Sequence, residues 1–203
     1  EAGVSTLAAR KIWYDDTVRR LNTDNRGQLL GEFKGQDKIL TINSDGSYKL
    51  YGFDLSTHFN EEMINIEKLN PDKPVSAVYW DGEKEQFNVK RFLVEITERQ
   101  VNFITEHENS YLDIASTDWQ PMIEIVYKKT KGSVKENDKI NINDFISIKG
   151  LKAIGNRLTS DKVKMINILQ PLPTPEKEAT NIQEQTKNND GDDSTEQATL
   201  DFE

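Results

Sequence analysis

The sequence predicts an all-β protein built from repeated hairpins. Two Asp-Gly pairs, at positions 45–46 and 81–82, each separate runs rich in β-branched and aromatic residues, a strong hairpin signal. The turn glycines Gly46, Gly82 and Gly132 are 36 and 50 residues apart. A period of that size, with a hairpin in each unit, predicts a propeller-like array in which each unit buries its face on the next. An irregular β-sandwich made from the same hairpins is the alternative.

The hairpins are assigned in chain order. Three are expected at residues 39–53, 75–94 and 122–142, the last around a Lys- and Gly-bearing turn at 128–132. Residues 12–33, with a turn at 23–27, are a further candidate. A partial unit is expected to pair residues 145–148 with 163–168. The array would then have about three to five blades, with one short helix at residues 59–69.

A change in composition near residue 170 marks the end of the folded region. Three prolines between residues 171 and 175 prevent a strand or helix from continuing. The stretch beyond them has almost no apolar residues, so it cannot offset its chain entropy. The prediction is a residual linker at 1–8, a β domain at 9–170 and a disordered acidic tail at 171–203.

Net charge is divided unevenly between these parts. The whole chain carries −9, but the tail holds nine acids and two bases and therefore accounts for −7. The remaining 170 residues carry only −2. A nucleic-acid partner for the β domain is therefore not excluded by the acidic total.

Composition excludes several other functions. There is no cysteine, so disulfides and thiolate chemistry are absent, and no apolar run is long enough to span a bilayer. Only two histidines, His58 and His107, are present, and their settings favour ordinary loop residues over metal ligands. No phosphate-binding glycine motif occurs. We expect a cytoplasmic protein with no membrane partner, no cofactor, no metal site and no catalytic site of its own.

Basic residues are the informative polar positions, because duplex binding depends mainly on phosphate neutralisation by a shared cationic surface. Residues 149–164 hold five bases against Asp161 alone, and Gly150 and Gly155 would let the backbone approach phosphates. Lys90 and Arg91 alternate with apolar residues on a predicted strand, so we expect at least one to be held in packing or a salt bridge. Solvated hairpin tips are the alternative for any single cluster. The predicted DNA-binding residues are Arg19, Arg20, Arg26, Lys128, Lys129, Lys131, Lys149, Lys152, Arg157, Lys162 and Lys164.

The C-terminal peptide carries a second candidate site. Gln197, Leu200 and Phe202 form a Gln-x-x-Leu-x-Phe pattern that resembles the peptides with which bacterial proteins dock on the replicative sliding clamp. Two apolar anchors on a disordered tether suit a preformed pocket, and the glutamine supplies a directional hydrogen bond. Chance occurrence in a low-complexity tail is the alternative.

Four segments together show a family resemblance. Residues 8–16 (AARKIWYDD), 25–31 (NRGQLLG), 78–82 (VYWDG) with 89–92 (VKRF), and 149–158 (KGLKAIGNRL) resemble the C-terminal domain of the A subunit of bacterial DNA topoisomerase IV, in the gyrase A-like family. The resemblance covers about residues 8–168. The Gln-Arg-Arg-Gly-Gly-Lys-Gly box of gyrase is missing, which implies looser DNA wrapping.

The resemblance implies a β-pinwheel whose basic rim binds and bends duplex DNA. Its partners would be the upstream topoisomerase core, part of an ATP-dependent type IIA enzyme, and the ATPase B subunit. The catalytic tyrosine of the family lies in a separate upstream domain, so none of the six tyrosines here is nominated. The alternative function is a propeller-like protein-interaction module with no direct DNA role.

Overall fold

The computed structural model describes residues 8–59, 61–132 and 134–174. These residues form fourteen strands and one four-residue helix, which confirms the predicted all-β fold class. Most of the predicted linker and acidic tail lies outside the described residues. The same is true of the predicted clamp-binding residues Gln197, Leu200 and Phe202.

The strands form four antiparallel sheets. In spatial order, the first sheet contains β2 (Arg20–Asn22), β1 (Arg10–Asp15) and β3 (Gln28–Phe33). The second contains β6 (Met63–Lys68), β4 (Ile39–Asn43), β5 (Ser47–Tyr51) and β9 (Val101–Asn102). The third contains β10 (Tyr111–Ser116), β7 (Val75–Asp81), β8 (Gln86–Phe92) and β13 (Asn156–Arg157). The fourth contains β12 (Asp138–Asn141), β11 (Met122–Tyr127) and β14 (Val163–Leu169).

All four sheets repeat one pattern. A hairpin supplies the first two strands, and a later strand pairs with the free edge of the first hairpin strand. The second and third sheets gain a fourth strand, β9 or β13, on the other edge. Each of these strands arrives after the chain has already entered the next sheet. Neighbouring sheets are therefore interlocked by the chain as well as by packing.

Three hydrophobic clusters join the four sheets in sequence. One holds the first sheet against the second, another the second against the third, and the last the third against the fourth. The two middle sheets are covered on both faces, so β4 is buried at all five positions. The first and fourth sheets are covered on one face, and β11 alternates between buried and half-buried residues. Burial on both faces removes the alternation that a one-sided strand shows.

Two predicted hairpins follow the Asp-Gly turns closely. β4 pairs with β5, and β7 pairs with β8. Gly46 has φ +82°, the left-handed conformation that hairpin turns require of glycine. The second turn is longer than two residues, because the buried Asp81 carboxylate accepts hydrogen bonds from the backbone of Glu83 and Lys84 (both 3.1 Å).

The predicted helix at residues 59–69 is wrong. Residues 63–68 form β6, which pairs with the outer edge of β4. Phe59, Met63 and Ile66 have the spacing of a helix face, but an unpaired edge of the buried strand β4 would leave backbone groups without partners. Pairing with that edge outweighs the local preference.

The predicted partial unit at residues 145–168 is also wrong in its pairing. Residues Ile142–Phe145 form the short helix α1, in which the Asn141 side chain accepts a hydrogen bond from the backbone of Asn143 (3.0 Å). β14 pairs with β11 and completes the fourth sheet. The turn predicted at 23–27 is present, but it joins β2 to β3, and both of these strands pair with β1.

Candidate nucleic-acid interface

A groove opens where the third and fourth sheets meet, at the rim of the hydrophobic cluster between them. Its volume is about 690 Å³. We call it the basic groove and define it by three aromatic residues and four basic residues, which are Trp80, Phe87, Tyr111, Lys128, Arg157, Lys162 and Lys164. Four of the eleven predicted DNA-binding residues therefore share one surface.

The aromatic residues form a row across the third sheet. Trp80 on β7 lies opposite Phe87 on β8 and Tyr111 on β10. The Trp80 and Phe87 rings meet edge to face with centroids 5.0 Å apart. Phe87 also packs against the cluster between the third and fourth sheets. Tyr111, at the outer end of the row, is 48% exposed. The row therefore continues the core outward into solvent.

The basic side chains come from three segments. Lys128 directly follows β11, and Arg157 lies on the edge strand β13. Lys162 directly precedes β14, and Lys164 is the second residue of that strand. The pairing of β11 with β14 shifts register here, with Val126 opposite Met165 and Tyr127 opposite Val163. Lys164 is therefore the extra residue of a β-bulge. Bulges change the direction in which a strand presents its side chains, and here Val163 and Lys164 both line the groove.

Two carboxylates also line the groove, those of Glu85 and Asp161. Lys135 offsets the second one, since its Nζ lies 2.6 Å from Asp161 Oδ2 and 3.6 Å from Asp138 Oδ2. The hydrogen bond to Asp161 raises the pKa of Lys135 above its usual range. The four groove cations thus outnumber the two carboxylates among the described lining residues, and the surface carries a positive excess suited to an anion.

The arginines of the first sheet lie apart from this groove, with the second sheet between them and the third. Arg19 forms an ion pair with Glu61 (2.7 Å), and Arg26 contacts Asp24 (3.4 Å). Arg20 is exposed on β2. Ion pairing to neighbouring carboxylates reduces the positive charge that Arg19 and Arg26 offer to a phosphate.

The loop before β13 holds two further predicted residues. Lys149 Nζ donates to Asn156 Oδ1 (3.3 Å), and Lys152 is exposed. Gly155 packs closely against β8, and its predicted approach to phosphates stays a prediction. A Cβ added to it would lie 2.2 Å from the Val89 carbonyl oxygen, so this glycine permits the close approach of the loop to β8. Lys129 and Lys131 are exposed beside Lys128.

Lys90 and Arg91 are both buried, as the alternation on β8 suggested for at least one of them. Lys90 Nζ donates to the carbonyl oxygens of Phe103 (2.8 Å) and Leu151 (2.7 Å). Burial lowers the pKa of Lys90 to about 8. The Arg91 guanidinium donates to Asn143 Oδ1 (2.8 Å) and to the Ile146 carbonyl (3.3 Å). Both cations join sheets and loops and are unavailable to DNA.

Within residues 8–59, 61–132 and 134–174, no three His, Cys, Asp or Glu side chains come together as metal ligands. His107 Nδ1 accepts a hydrogen bond from the Asn109 backbone (3.1 Å). None of the helices in this described part of the chain is long and apolar enough to cross a membrane.

The aromatic row was not predicted from the sequence. The Asp-Gly hairpin places Trp80 and Phe87 opposite each other, so two of the three residues in the row were predictable from the pattern. Tyr111 was not, because residues 101–116 were not assigned to any strand. The signal available was the alternation of Leu112, Ile114 and Ser116, of which the last two are buried.

Four interlocked antiparallel sheets with a basic groove between two of them define an all-β module without an evident reaction centre in the residues described. The family model for the topoisomerase C-terminal domain of Bacteroidota matches residues 20–170. This chain therefore belongs to that family and is an accessory part of a larger enzyme. A search of the curated proteins found no match.

Proposed function

We propose that this module binds duplex DNA through the four cations of the basic groove and presents it to the catalytic core of a topoisomerase. The supporting observation is the convergence of Lys128, Arg157, Lys162 and Lys164 from three segments onto one surface. Phosphate contacts from such a surface position a duplex without reading its sequence. Binding is then weak, independent of sequence and strongly dependent on salt.

The larger enzyme in this proposal is a type IIA topoisomerase with a topoisomerase IV-like A subunit, and the module itself is non-catalytic. Its partners are the upstream cleavage core, the ATPase B subunit and, through the C-terminal peptide, the sliding clamp. Bending a duplex costs on the order of 1–6 kcal/mol, so several phosphate contacts must act together. The groove cations supply four, and the exposed Lys129 and Lys131 follow Lys128 closely in the chain.

A pair of charge-neutralised variants tests duplex binding. Lys162→Gln/Lys164→Gln removes two groove cations, and Lys34→Gln/Lys139→Gln removes two exposed lysines outside it. By fluorescence anisotropy, the first variant should lower the salt-dependence slope of duplex affinity by about 2 relative to the native protein. The second should leave the slope nearly unchanged.

Equal loss of affinity in the two variants would show that only net charge matters. If the native protein binds no duplex at low salt, the proposed role in duplex binding is overturned. The alternative of a protein-interaction module would then be favoured.

A further inference from the structure

The outer two rings of the aromatic row are available for stacking. Trp80 and Tyr111 lie on neighbouring strands with ring planes 19° apart and centroids 6.5 Å apart. Neither ring belongs to the hydrophobic cluster between the third and fourth sheets, whereas Phe87 packs against it. Both line the groove. Core packing therefore explains the position of Phe87 but does not explain why Tyr111 is exposed.

The groove brings these rings within one surface with the basic side chains. Aromatic faces beside a basic track are what an unpaired nucleic-acid strand requires, because its bases stack on the rings while its phosphates meet the cations. Arg157 and Lys164 lie on strands at the two sides of the groove. In a duplex the base faces are already stacked within the helix, so a duplex uses the cations but not the rings.

We propose that Trp80 and Tyr111 stack on an unpaired base, so that the basic groove also holds a single-stranded DNA segment. This inference deepens the proposed function and rests on it, since it concerns the same groove. Underwound DNA favours strand separation, and a module that binds unpaired bases would gain affinity for such DNA. The added specificity is for strand state rather than for sequence.

The first test uses Tyr111, which is half-exposed on an edge strand. Anisotropy titrations compare an oligothymidylate of about twelve nucleotides with a duplex of equal length. Tyr111→Ala should weaken oligothymidylate binding about 10-fold, in line with the loss of one stacked base, and change duplex binding less than about twofold. Tyr111→Phe keeps the ring and should bind both ligands like the native protein.

A second test reports on Trp80 itself. Stacking of a base on the indole should quench tryptophan fluorescence as oligothymidylate is added. Trp80→Phe retains an aromatic ring against Phe87 and should abolish this quenching, although Trp13 and Trp119 remain. Persistence of the full quenching in Trp80→Phe would place the base elsewhere and overturn the proposal.

The outcomes separate this inference from the duplex-binding proposal. Both proposals are supported if Lys162→Gln/Lys164→Gln weakens the binding of duplex and of oligothymidylate, and Tyr111→Ala weakens the binding of oligothymidylate alone. Unchanged oligothymidylate binding in Tyr111→Ala overturns the stacking role while duplex binding stands. If the protein binds oligothymidylate through Tyr111 but binds no duplex, the stacking role is supported and the duplex-binding proposal is overturned.

Discussion

Single residues show how the same chemical group has different uses in this molecule. Lys90 and Lys164 are both lysines on strands, yet one donates to two buried carbonyl oxygens and the other faces an open groove. The difference comes from the surroundings. Lys90 is on a strand of a middle sheet whose two faces are covered, and Lys164 is on a bulge at a rim. Residue type alone therefore does not identify a DNA contact.

The buried amine of Lys90 makes stability depend on pH. Its pKa is about 8 in the folded protein, against an ordinary value of 10.5. Between these pH values the folded state binds fewer protons on this amine than the unfolded state does, so the free energy of unfolding rises with pH. Below pH 8 the penalty for burying the charge is fully present. A neutral amine keeps two N–H donors for the two carbonyl oxygens.

Comparison with Lys90→Met isolates this contribution. Urea unfolding at pH 7 and pH 10 should show the native protein gaining roughly 1–3 kcal/mol relative to the variant as pH rises. Other groups, including tyrosines with raised pKa values, titrate in both proteins and cancel. Parallel stability curves across this range would contradict the prediction.

Secondary-structure elements position the groove through irregularities as much as through regular strands. The bulge in β14 directs Lys164 into the groove, and the short edge strand β13 brings in Arg157. β13 can approach β8 only because Gly155, with φ +95°, has no Cβ. A glycine next to a two-residue strand thus controls the position of a groove cation.

Gly155→Ala tests this role against a matched glycine in the same loop. The substitution should lower the free energy of unfolding by about 1–3 kcal/mol, because its Cβ meets the Val89 carbonyl at a positive φ. Gly150 has no atom within 4 Å of its Cβ position, so Gly150→Ala should be neutral or slightly stabilising. Denaturant unfolding measures both. Similar effects at the two sites would contradict the structural role of Gly155.

At the scale of the whole molecule, the described residues form a four-sheet array with a basic groove, and an acidic C-terminal segment follows them in the sequence. Residues 172 and 173 still contact the domain, since the Leu172 backbone donates to the Gln120 carbonyl (3.0 Å) and Gln120 Nε2 donates to the Pro173 carbonyl (2.7 Å). Residues 175–203 carry all of the −7 charge. We propose that this negative charge competes with DNA for the groove cations.

Truncation after Thr174 tests this competition while keeping the contacts of Leu172 and Pro173. Duplex binding should tighten several-fold at low salt, and the gain should disappear at high salt because the charges are screened. A full-length control with Asn and Gln in place of the tail acids should behave like the truncated protein. Unchanged or weaker binding after truncation would rule out the competition.

Several features of the fold were determined by the sequence itself. Asp-Gly turns between β-rich runs fixed the hairpins of the two middle sheets, because turn chemistry and strand propensity are local. The density of lysine and arginine in residues 149–164 identified three of the four groove cations, Arg157, Lys162 and Lys164, because composition is also local. The charge arithmetic separated the acidic tail from a nearly neutral domain without any structural information.

Tertiary structure decided which residues meet. Residues 63–68 have helical spacing but pair with the free edge of β4 as a strand. Residues 163–168 pair with β11 and not with the segment at 145–148. Lys90 and Arg91 are buried, and Lys135 forms an ion pair with Asp161. A register shift places Lys164 in the groove that Trp80 and Tyr111 also line. These outcomes depend on pairing and packing between segments far apart in the chain. Local sequence patterns do not specify which distant segments pair, so only the folded structure shows these contacts.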